Sequence, residues 1–359
     1  MNTATFGIAR VDPAPPDGWD ALAVDPPGGH VLQGTAWSAH RAALGWKPHH
    51  ITFTDGRVAS LLTHRQEPLP GFVAYAPRGP IKAGDSVERV AARVIALADW
   101  ARDAGATVMA VDPELDADPT YEALLADAGF TETEEIQPSR HRLVLRFEPD
   151  DTADSVLARV SRTTRQRIRG GEKAGTVVEE DPAGLGLEAF GELVGAAAER
   201  RHFTFSAEQG FVRWWRAVLA DERARFWVAR HDGRLVGGLI AYRQGGHLAT
   251  AFSADRADLR PELPGTMHLL RWHAIRAALE AGYPSIDLGG VDVRGARHKP
   301  EKGEPTYGLW EHKASFGAEW VRSAPAHEQI FRPLVYRAGL AARRVRRVLR
   351  RRPGRRPGS

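Results

Sequence analysis

Arg225-Phe-Trp-Val-Ala-Arg-His-Asp-Gly-Arg-Leu-Val-Gly-Gly-Leu-Ile-Ala-Tyr242 decides the fold. Two strand-like runs, 225–230 and 235–242, flank Asp232-Gly233, a pair that favours the positive φ of a tight hairpin turn. The same device stands near the start of the chain, where 49–54 and 57–64 flank Asp55-Gly56. A further strand follows each hairpin, at 72–75 and at 247–253. Next comes a helical stretch closed by glycine, 87–104 before Gly105 and 267–281 before Gly282. A buried-type strand then completes each unit, at 107–111 and 285–288.

A meander hairpin followed by a helix and then a strand is the layout of an N-acetyltransferase-like fold, used here twice. The expected class is α/β (α+β), with two tandem domains, mixed sheets flanked by helices and no coiled-coil arm. In the first half, 124–128 ends a helix at Gly129 and 141–147 reads as its last strand. Glu148-Pro-Asp-Asp151 turns polar and restarts with a helix, so the expected division is residues 1–148 and 149–319. The segment 320–342 is expected to pack back on the first domain, with a basic, disordered tail at 343–359. Helices are expected at 156–173, 187–201 and 207–220, and nothing between 201 and 225 is long enough for a helical arm.

Composition excludes several chemistries. With 359 residues, two cores are the better prior. There is no cysteine, which removes disulfides, thiolate catalysis and cysteine-ligated metals. No signal peptide or spanning segment is legible, so a cytoplasmic protein is expected. The net charge of +4 hides an asymmetry: nine arginines lie beyond residue 342, and without them 40 basic residues face 45 acidic ones, or −5. Three readings of the tail stay open: a solvated helix end, a contact with anionic headgroups at the inner face of the plasma membrane, and a contact with RNA phosphate.

Three constellations carry the chemistry. Tyr307-Gly-Leu-Trp-Glu-His-Lys313-Ala-Ser-Phe-Gly317 sets a lysine among aromatics. A partly desolvated cation acts strongly on nearby negative charge and suits an oxyanion developing in acyl transfer, although the spacing also fits a surface lysine. In 161–173, Arg162, Arg165, Arg169 and Lys173 fall within about one quadrant of a helical wheel, a stripe that can follow phosphates or simply face water. The Gly170-Gly171 pair weakens that helix and favours a contact role. Asp112 stands at a strand end before Pro113, as a site residue or as a turn cap. No HExxH, P-loop or GxSxG is present, and the histidines have no metal-ligand spacing, so no metal and no cofactor is expected. Arg234-Leu-Val-Gly-Gly-Leu239 approaches the acetyltransferase pyrophosphate pattern but has leucine at its last position and lies in a hairpin, which argues against ordinary coenzyme A binding.

Further pieces accumulate along the chain: Val31-Leu-Gln-Gly-Thr-Ala-Trp37 with Leu44-Gly-Trp46, Tyr75-Ala-Pro-Arg-Gly-Pro80, Val111-Asp-Pro113, Ile136-Gln-Pro138, Thr164-Arg-Gln-Arg-Ile-Arg169 with Glu172-Lys-Ala-Gly175, and Ile286-Asp-Leu-Gly-Gly290. In this order, together with 308–317, they resemble the Fem family (FemABX), the aminoacyl-tRNA-dependent peptidyltransferases that build peptidoglycan cross-bridges. The resemblance runs from about Val31 to about Pro333. It implies two N-acetyltransferase-like domains and transfer of an amino acid from aminoacyl-tRNA, as co-substrate, to the side-chain amine of a stem peptide on a lipid-linked or nucleotide-linked precursor. It further implies that Lys313 stabilises the tetrahedral intermediate, that Asp112, Arg41, Arg200 (or Arg201, one register away) and His312 bind substrate, and that the 162–173 stripe holds tRNA. His312 stands where phenylalanine is usual and Phe252 where tyrosine is common, which touches the identity of the acceptor more than the reaction. Two rival readings remain: a tRNA- or acyl-coenzyme A-dependent N-acyltransferase acting on another peptide or amine, and a non-catalytic RNA- or membrane-binding protein.

Overall fold

The computed structural model describes residues 6–134, 137, 141–200, 210–293 and 295–351, with side chains as far as Ala342. The chain runs β1 (Ile8–Asp12), α1 (Trp19–Ala23), α2 (Thr35–Ala43), β2 (Lys47–Phe53), β3 (Val58–Arg65), β4 (Phe72–Ala76), α3 (Val87–Asp103) and β5 (Ala106–Val111). It continues through α4 (Pro119–Asp127), β6 (Thr131–Glu132), β7 (Arg142–Arg146), α5 (Ala153–Arg159), α6 (Arg162–Lys173), β8 (Val177–Glu180), α7 (Leu187–Arg200) and α8 (Phe211–Ala220). The last part is β9 (Ala224–His231), β10 (Arg234–Gln244), β11 (His247–Asp255), α9 (Thr266–Glu280), β12 (Ser285–Gly290), α10 (Tyr307–Ala314), β13 (Glu319–Val321), β14 (His327–Ile330) and α11 (Pro333–Arg351).

Two sheets of seven strands form, in the orders β1-β2-β3-β4-β5-β14-β6 and β13-β7-β12-β11-β10-β9-β8. In each, four antiparallel strands lead to one parallel pair, β4 with β5 and β11 with β12. The intervening helices α3 and α9 are the crossovers that a parallel pair requires. Asp232 (φ 49) and Gly233 (φ 73) are both in the left-handed region, so the β9–β10 turn is the two-residue type expected of Asp-Gly. Only ten residues separate α7 from α8, so no long helical arm lies between them.

Sheet membership does not change at Glu148. β7, expected to close the first half, pairs with β12 and β13 in the second sheet, whereas β14 returns to pair with β5 and β6 in the first. The chain thus crosses between the sheets before residue 142 and again after residue 321. Leu143, Val144 and Leu145 are all buried, so β7 suits any two-sided core, and its composition does not say which sheet it joins. At the C-terminus, helix α11 runs to Arg351, so the stretch expected to be a disordered tail from Arg343 is helical to that point; arginine, leucine and alanine are good helix formers, and Pro333 occupies the first helical position. No described helix is long and apolar enough to cross a membrane.

Three cores hold these layers. One lies between the first sheet and α3 and α4, and a second between the other sheet and α5, α6 and α9. The third belongs to both units. It packs Trp19 and Trp37 of α1 and α2, with Val58 and Leu62 of β3, against Phe190, Trp214 and Trp215 of α7 and α8 and against Phe226, Ile240 and Tyr242 of the second sheet. Trp37 meets Trp214 edge-on with ring centroids 5.0 Å apart.

Polar contacts fix the same seam. Gln33 is fully buried: its amide donates to the Ser60 and Pro77 carbonyls at 3.1 and 2.6 Å and accepts from Ser60 N at 2.8 Å. A Cβ on Gly79 would come within 2.4 Å of that amide, which explains glycine in the 75–80 loop. The tip of the β10–β11 hairpin reaches across the seam. Gly245 N donates to Val24 O at 2.8 Å, and the Gln244 side chain accepts from Val31 N at 3.2 Å.

Trp37→Ala is expected to cost about 3–5 kcal/mol of unfolding free energy, as large aromatic truncations in a core do. In a cycle with Trp214→Ala, denaturant unfolding should show a coupling of about 0.5–1.5 kcal/mol; strictly additive losses would mean that the two rings do not interact.

Candidate functional site

The site grows from the end of β12. Gly289 has φ +86, and a Cβ there would lie 2.8 Å from Thr250 O and 3.1 Å from Lys313 Nζ. Glycine at this position therefore permits both the turn and the approach of the lysine. Lys313, in the last turn of α10, is only 7 % exposed, and its ammonium donates to the Gly290 carbonyl at 3.2 Å. A cation so far from bulk water keeps much of its field for whatever charge comes near it.

A second buried cation stands behind it. Arg271 of α9 is 1 % exposed and, among the described residues, pairs with no carboxylate. Its guanidinium donates to Leu288 O at 3.3 Å and, through Nε, to His312 Nε2 at 3.2 Å. The His312 Nε2 must therefore be unprotonated. His312 Nδ1 lies 3.1 Å from His268 Nε2, so the shared proton sits on His312 and is donated to His268. Burial, then the Arg271 charge, hold His312 down to about 2, and burial holds His268 down to about 4. Burial also lowers Arg271 to about 10. Both ring nitrogens of His312 are thus occupied within the protein, where it supports Arg271.

Asp112, at the end of β5, is 2 % exposed. One carboxylate oxygen accepts from Tyr75 Oη and the other from Arg78 N, both at 2.8 Å. Gln137 Nε2 in turn donates to Tyr75 Oη at 3.2 Å. Burial raises the Asp112 carboxyl and pushes the Tyr75 phenol well above its usual range. In this arrangement Asp112 pins the 75–80 loop. Arg41, in the last turn of α2, lies over the Trp46 and Trp37 rings at 4.6 and 5.6 Å, and burial lowers its pKa while Tyr75 raises it.

Next to Asp112 lies a polar cluster made by both units. Arg142 of β7 pairs with Glu114 at 2.5 Å and Asp116 at 2.9 Å, and His30 lies 3.6 Å from Glu114. Glu114, His247 and Asp287 each turn one donor atom to the same point, within 4.8 Å of one another. Burial raises the Asp287 carboxyl; burial also pushes Glu114 up, but Arg142 together with the other positive charge around it brings Glu114 down to about 2.

The expected basic stripe is only partly available. Arg162, Arg169 and Lys173 are exposed on α6. Arg165 instead turns back to the carbonyls of Ala158 and Val160, at 2.8 and 2.9 Å, and caps α5. Gly171 packs against Gly265 of α9, so the glycine pair serves helix–helix approach. Hydroxyl contacts tie α6 to the end of α10, with Thr164 Oγ1 donating to Ser315 Oγ at 2.7 Å. Arg200 is exposed at the end of α7, and its charge is felt by Asp258; Arg201 lies outside the described residues.

Sequence reasoning missed Arg271, His268, Glu114, His247 and Asp287. Asp287 lay inside a quoted motif, and Glu114 stands two residues after Asp112. Arg271 and His268 carried no signal, since a helix as uniformly buried as α9 shows no polar face.

The twin sheets, with a buried lysine at the open end of one parallel pair, define a transferase of the acetyltransferase (GNAT) type, and the GNAT domain profile matches residues 158–303. The FemAB family profile matches residues 19–123. A Lipid II:glycine glycyltransferase of Staphylococcus aureus is 22 % identical over 83 % of this chain and 87 % of its own. The solved structure of FemX superposes with a TM-score of 0.74 at 21 % identity, covering 89 % of this chain and 96 % of that one. A protein of unknown function from Bacteroides thetaiotaomicron shares the fold at a TM-score of 0.56 and 10 % identity, over 86 % and 93 % of the two chains. Together these matches support a relationship to the Fem family, with the FemAB match confined to residues 19–123.

Because His312 is held neutral in the fold while an unfolded histidine titrates near 6.5, the folded state loses stability as pH falls from 6.5 toward 2. His312→Gln keeps an acceptor for Arg271 but cannot titrate. Unfolding free energy measured from pH 6.5 to 4 should fall less steeply in this variant, by up to about 1.4 kcal/mol per pH unit. An unchanged slope would place His312 in solvent.

Proposed function

We propose that this protein transfers an amino acid from aminoacyl-tRNA to the side-chain amine of a peptidoglycan precursor stem peptide. The observation that carries this reading is the buried Lys313 of α10, whose ammonium meets the end of β12 at Gly290, three residues along the strand from the Asp287 that lies near Glu114 of the other unit. The relative in Staphylococcus aureus is named for glycyl transfer to lipid II, which makes the same chemistry the natural reading of this site.

The reaction asks for positioning and charge stabilisation. An aminoacyl ester is already activated, so no further cofactor is proposed. The neutral amine attacks the ester carbonyl, a C–N bond forms, and the negative charge gathers on the carbonyl oxygen within reach of Lys313 Nζ. The intermediate collapses as the C–O bond to the ribose breaks, and the proton lost by the amine balances the one gained by the leaving hydroxyl. Arg271, fixed by His312, adds a second positive charge behind the first. Arg162, Arg169 and Lys173 would meet tRNA phosphates from α6, which the Thr164–Ser315 contact joins to the helix bearing Lys313.

Lys313→Met should lower turnover about 10²–10³-fold, the effect of removing one oxyanion donor. The assay supplies pooled charged tRNAs and a nucleotide-linked muropeptide and reads the mass gain; near-normal turnover eliminates the role. Reversing Arg162, Arg169 and Lys173 to glutamate should weaken tRNA binding and flatten the slope of log affinity against log salt by about one unit per lost phosphate contact. Reversing Arg165 tests α5 capping instead and should show first as lost stability.

A further inference from the structure

We propose that Glu114, His247 and Asp287 form a tripod that binds a primary ammonium group of the substrate. This inference deepens the aminoacyl-transfer reading and rests on it for the identity of the amine. The three residues come from three places: Glu114 follows β5 in the first unit, His247 opens β11, and Asp287 lies within β12. The hairpin tip bearing His247 is held across the seam by the Gly245–Val24 and Gln244–Val31 hydrogen bonds, so the tripod exists only when the two units are docked.

Spacing points to a guest atom. One donor atom from each residue lies within 4.8 Å of the others, yet no His247 nitrogen comes within the 4.0 Å of an ion pair to either carboxylate. The gap from His247 to either carboxylate is too wide for a direct hydrogen bond and leaves room for one atom between them. A tetrahedral R–NH3+ whose three hydrogens each reach an acceptor at the usual hydrogen-bond length sets those acceptors about 4.6 Å apart. Asp287 is 7 % exposed, and only one of its oxygens is engaged, accepting from Gly289 N at 2.7 Å; the other has no partner among the described residues. Neither ring nitrogen of His247 has a hydrogen-bond partner among them.

Charge agrees with an ammonium. Arg142 is the cation shared by Glu114 and Asp116, and it also acts on Asp287, so three carboxylates draw on one guanidinium. Arg78 acts on Glu114 as well but also serves Asp112. His30, beside Glu114, is held neutral by burial. The cluster is therefore short of positive charge, and a monovalent ammonium supplies it. A divalent metal would have to share Glu114 with the Arg142 guanidinium, which opposes it. Asp287 also bonds the backbone of Gly289, which touches Lys313, so an amine held here lies beside the lysine that would face the ester carbonyl. Two sources fit the chemistry: the side-chain amine of the acceptor and the α-amine of the aminoacyl group.

The test is NMR titration of the full chain with two probes, Nα-acetyl-lysine methylamide for the acceptor amine and alanine methyl ester for the aminoacyl amine, each beside its amine-acetylated counterpart. The expected result is binding of one amine probe, at least tenfold weaker or no binding of its acetylated form, and at least tenfold weakening by Asp287→Asn. His247→Phe, at a partly exposed turn, gives an independent variant should Asp287→Asn unfold, and it too should weaken binding. Equal binding of free and acetylated probes, or binding unaffected in both variants, overturns the tripod. So does stoichiometric binding of MnCl2 that Asp287→Asn abolishes, which would make the cluster a metal site. Asp287-dependent amine binding without transfer from any charged tRNA would leave the tripod standing and remove the functional reading; transfer with no amine binding would do the reverse.

Discussion

Everything at the site depends on the packing of one unit against the other through a shared aromatic core. Trp19 and Trp37 share one buried cluster with Trp214, Trp215 and Tyr242 of the second unit, and Trp37 meets Trp214 directly. A fully buried aromatic removes on the order of 150–250 Å² from water, so this seam is a hydrophobic interior rather than a loose domain contact. Its rigidity is what lets residues from separate sheets meet with fixed spacing. Glu114 and Asp287 never share a sheet, yet they turn toward the same point because the cores on either side leave no freedom to slide.

The strand exchange reinforces that constraint. β7 leaves the first half to pair with β12, and β14 returns from the second half to pair with β5. Two chain crossings between the sheets mean that separating the units requires stripping strands from their ladders as well as parting aromatic surfaces. Arg142 rides on the exchanged strand, so the cation that organises Glu114, Asp116 and Asp287 is delivered by the element that locks the units together.

What could be read from the sequence was whatever has a local cause. Asp232-Gly233 announces its turn through backbone φ, the glycines after α3 and α9 announce helix ends, and the duplicated order of hairpin, helix and strand announces the twin sheets. The burial of Lys313 had a local cue, because a lysine amid aromatics is unusual in itself. What escaped had non-local causes. β7 is equally apolar on both faces, so nothing in Leu143-Val-Leu145 chooses a sheet. Arg165 lay on the same helical stripe as Arg162 and Arg169, but the carbonyl end of α5, at Ala158 and Val160 across the turn, captured it. Arg271 and His268 lie on a helix buried almost all round, where periodicity carries no information. The tripod joins positions 114, 247 and 287, which no spacing rule connects.

The energetic character of the site follows from these placements. Lys313 and Arg271 are buried close to one another, and Arg271 has no carboxylate among the described residues to offset its desolvation. Carbonyl groups and a neutral histidine stabilise it, and His312 can do so only while it carries no charge of its own. For Arg271 this is poor design for stability, since a buried charge without a paired carboxylate costs several kcal/mol. It is compatible with the proposed stabilisation of a developing negative charge. A carboxylate placed beside Arg271 would quench the field before any substrate arrived; backbone carbonyls hold the guanidinium in place while leaving its net charge intact. The tripod three residues along β12 has the opposite sign, with carboxylates in excess of cations. Under the proposed reaction, adjacent regions of positive and negative charge, held apart by one glycine turn, would serve an amine and a developing oxyanion that must lie within bonding distance of each other.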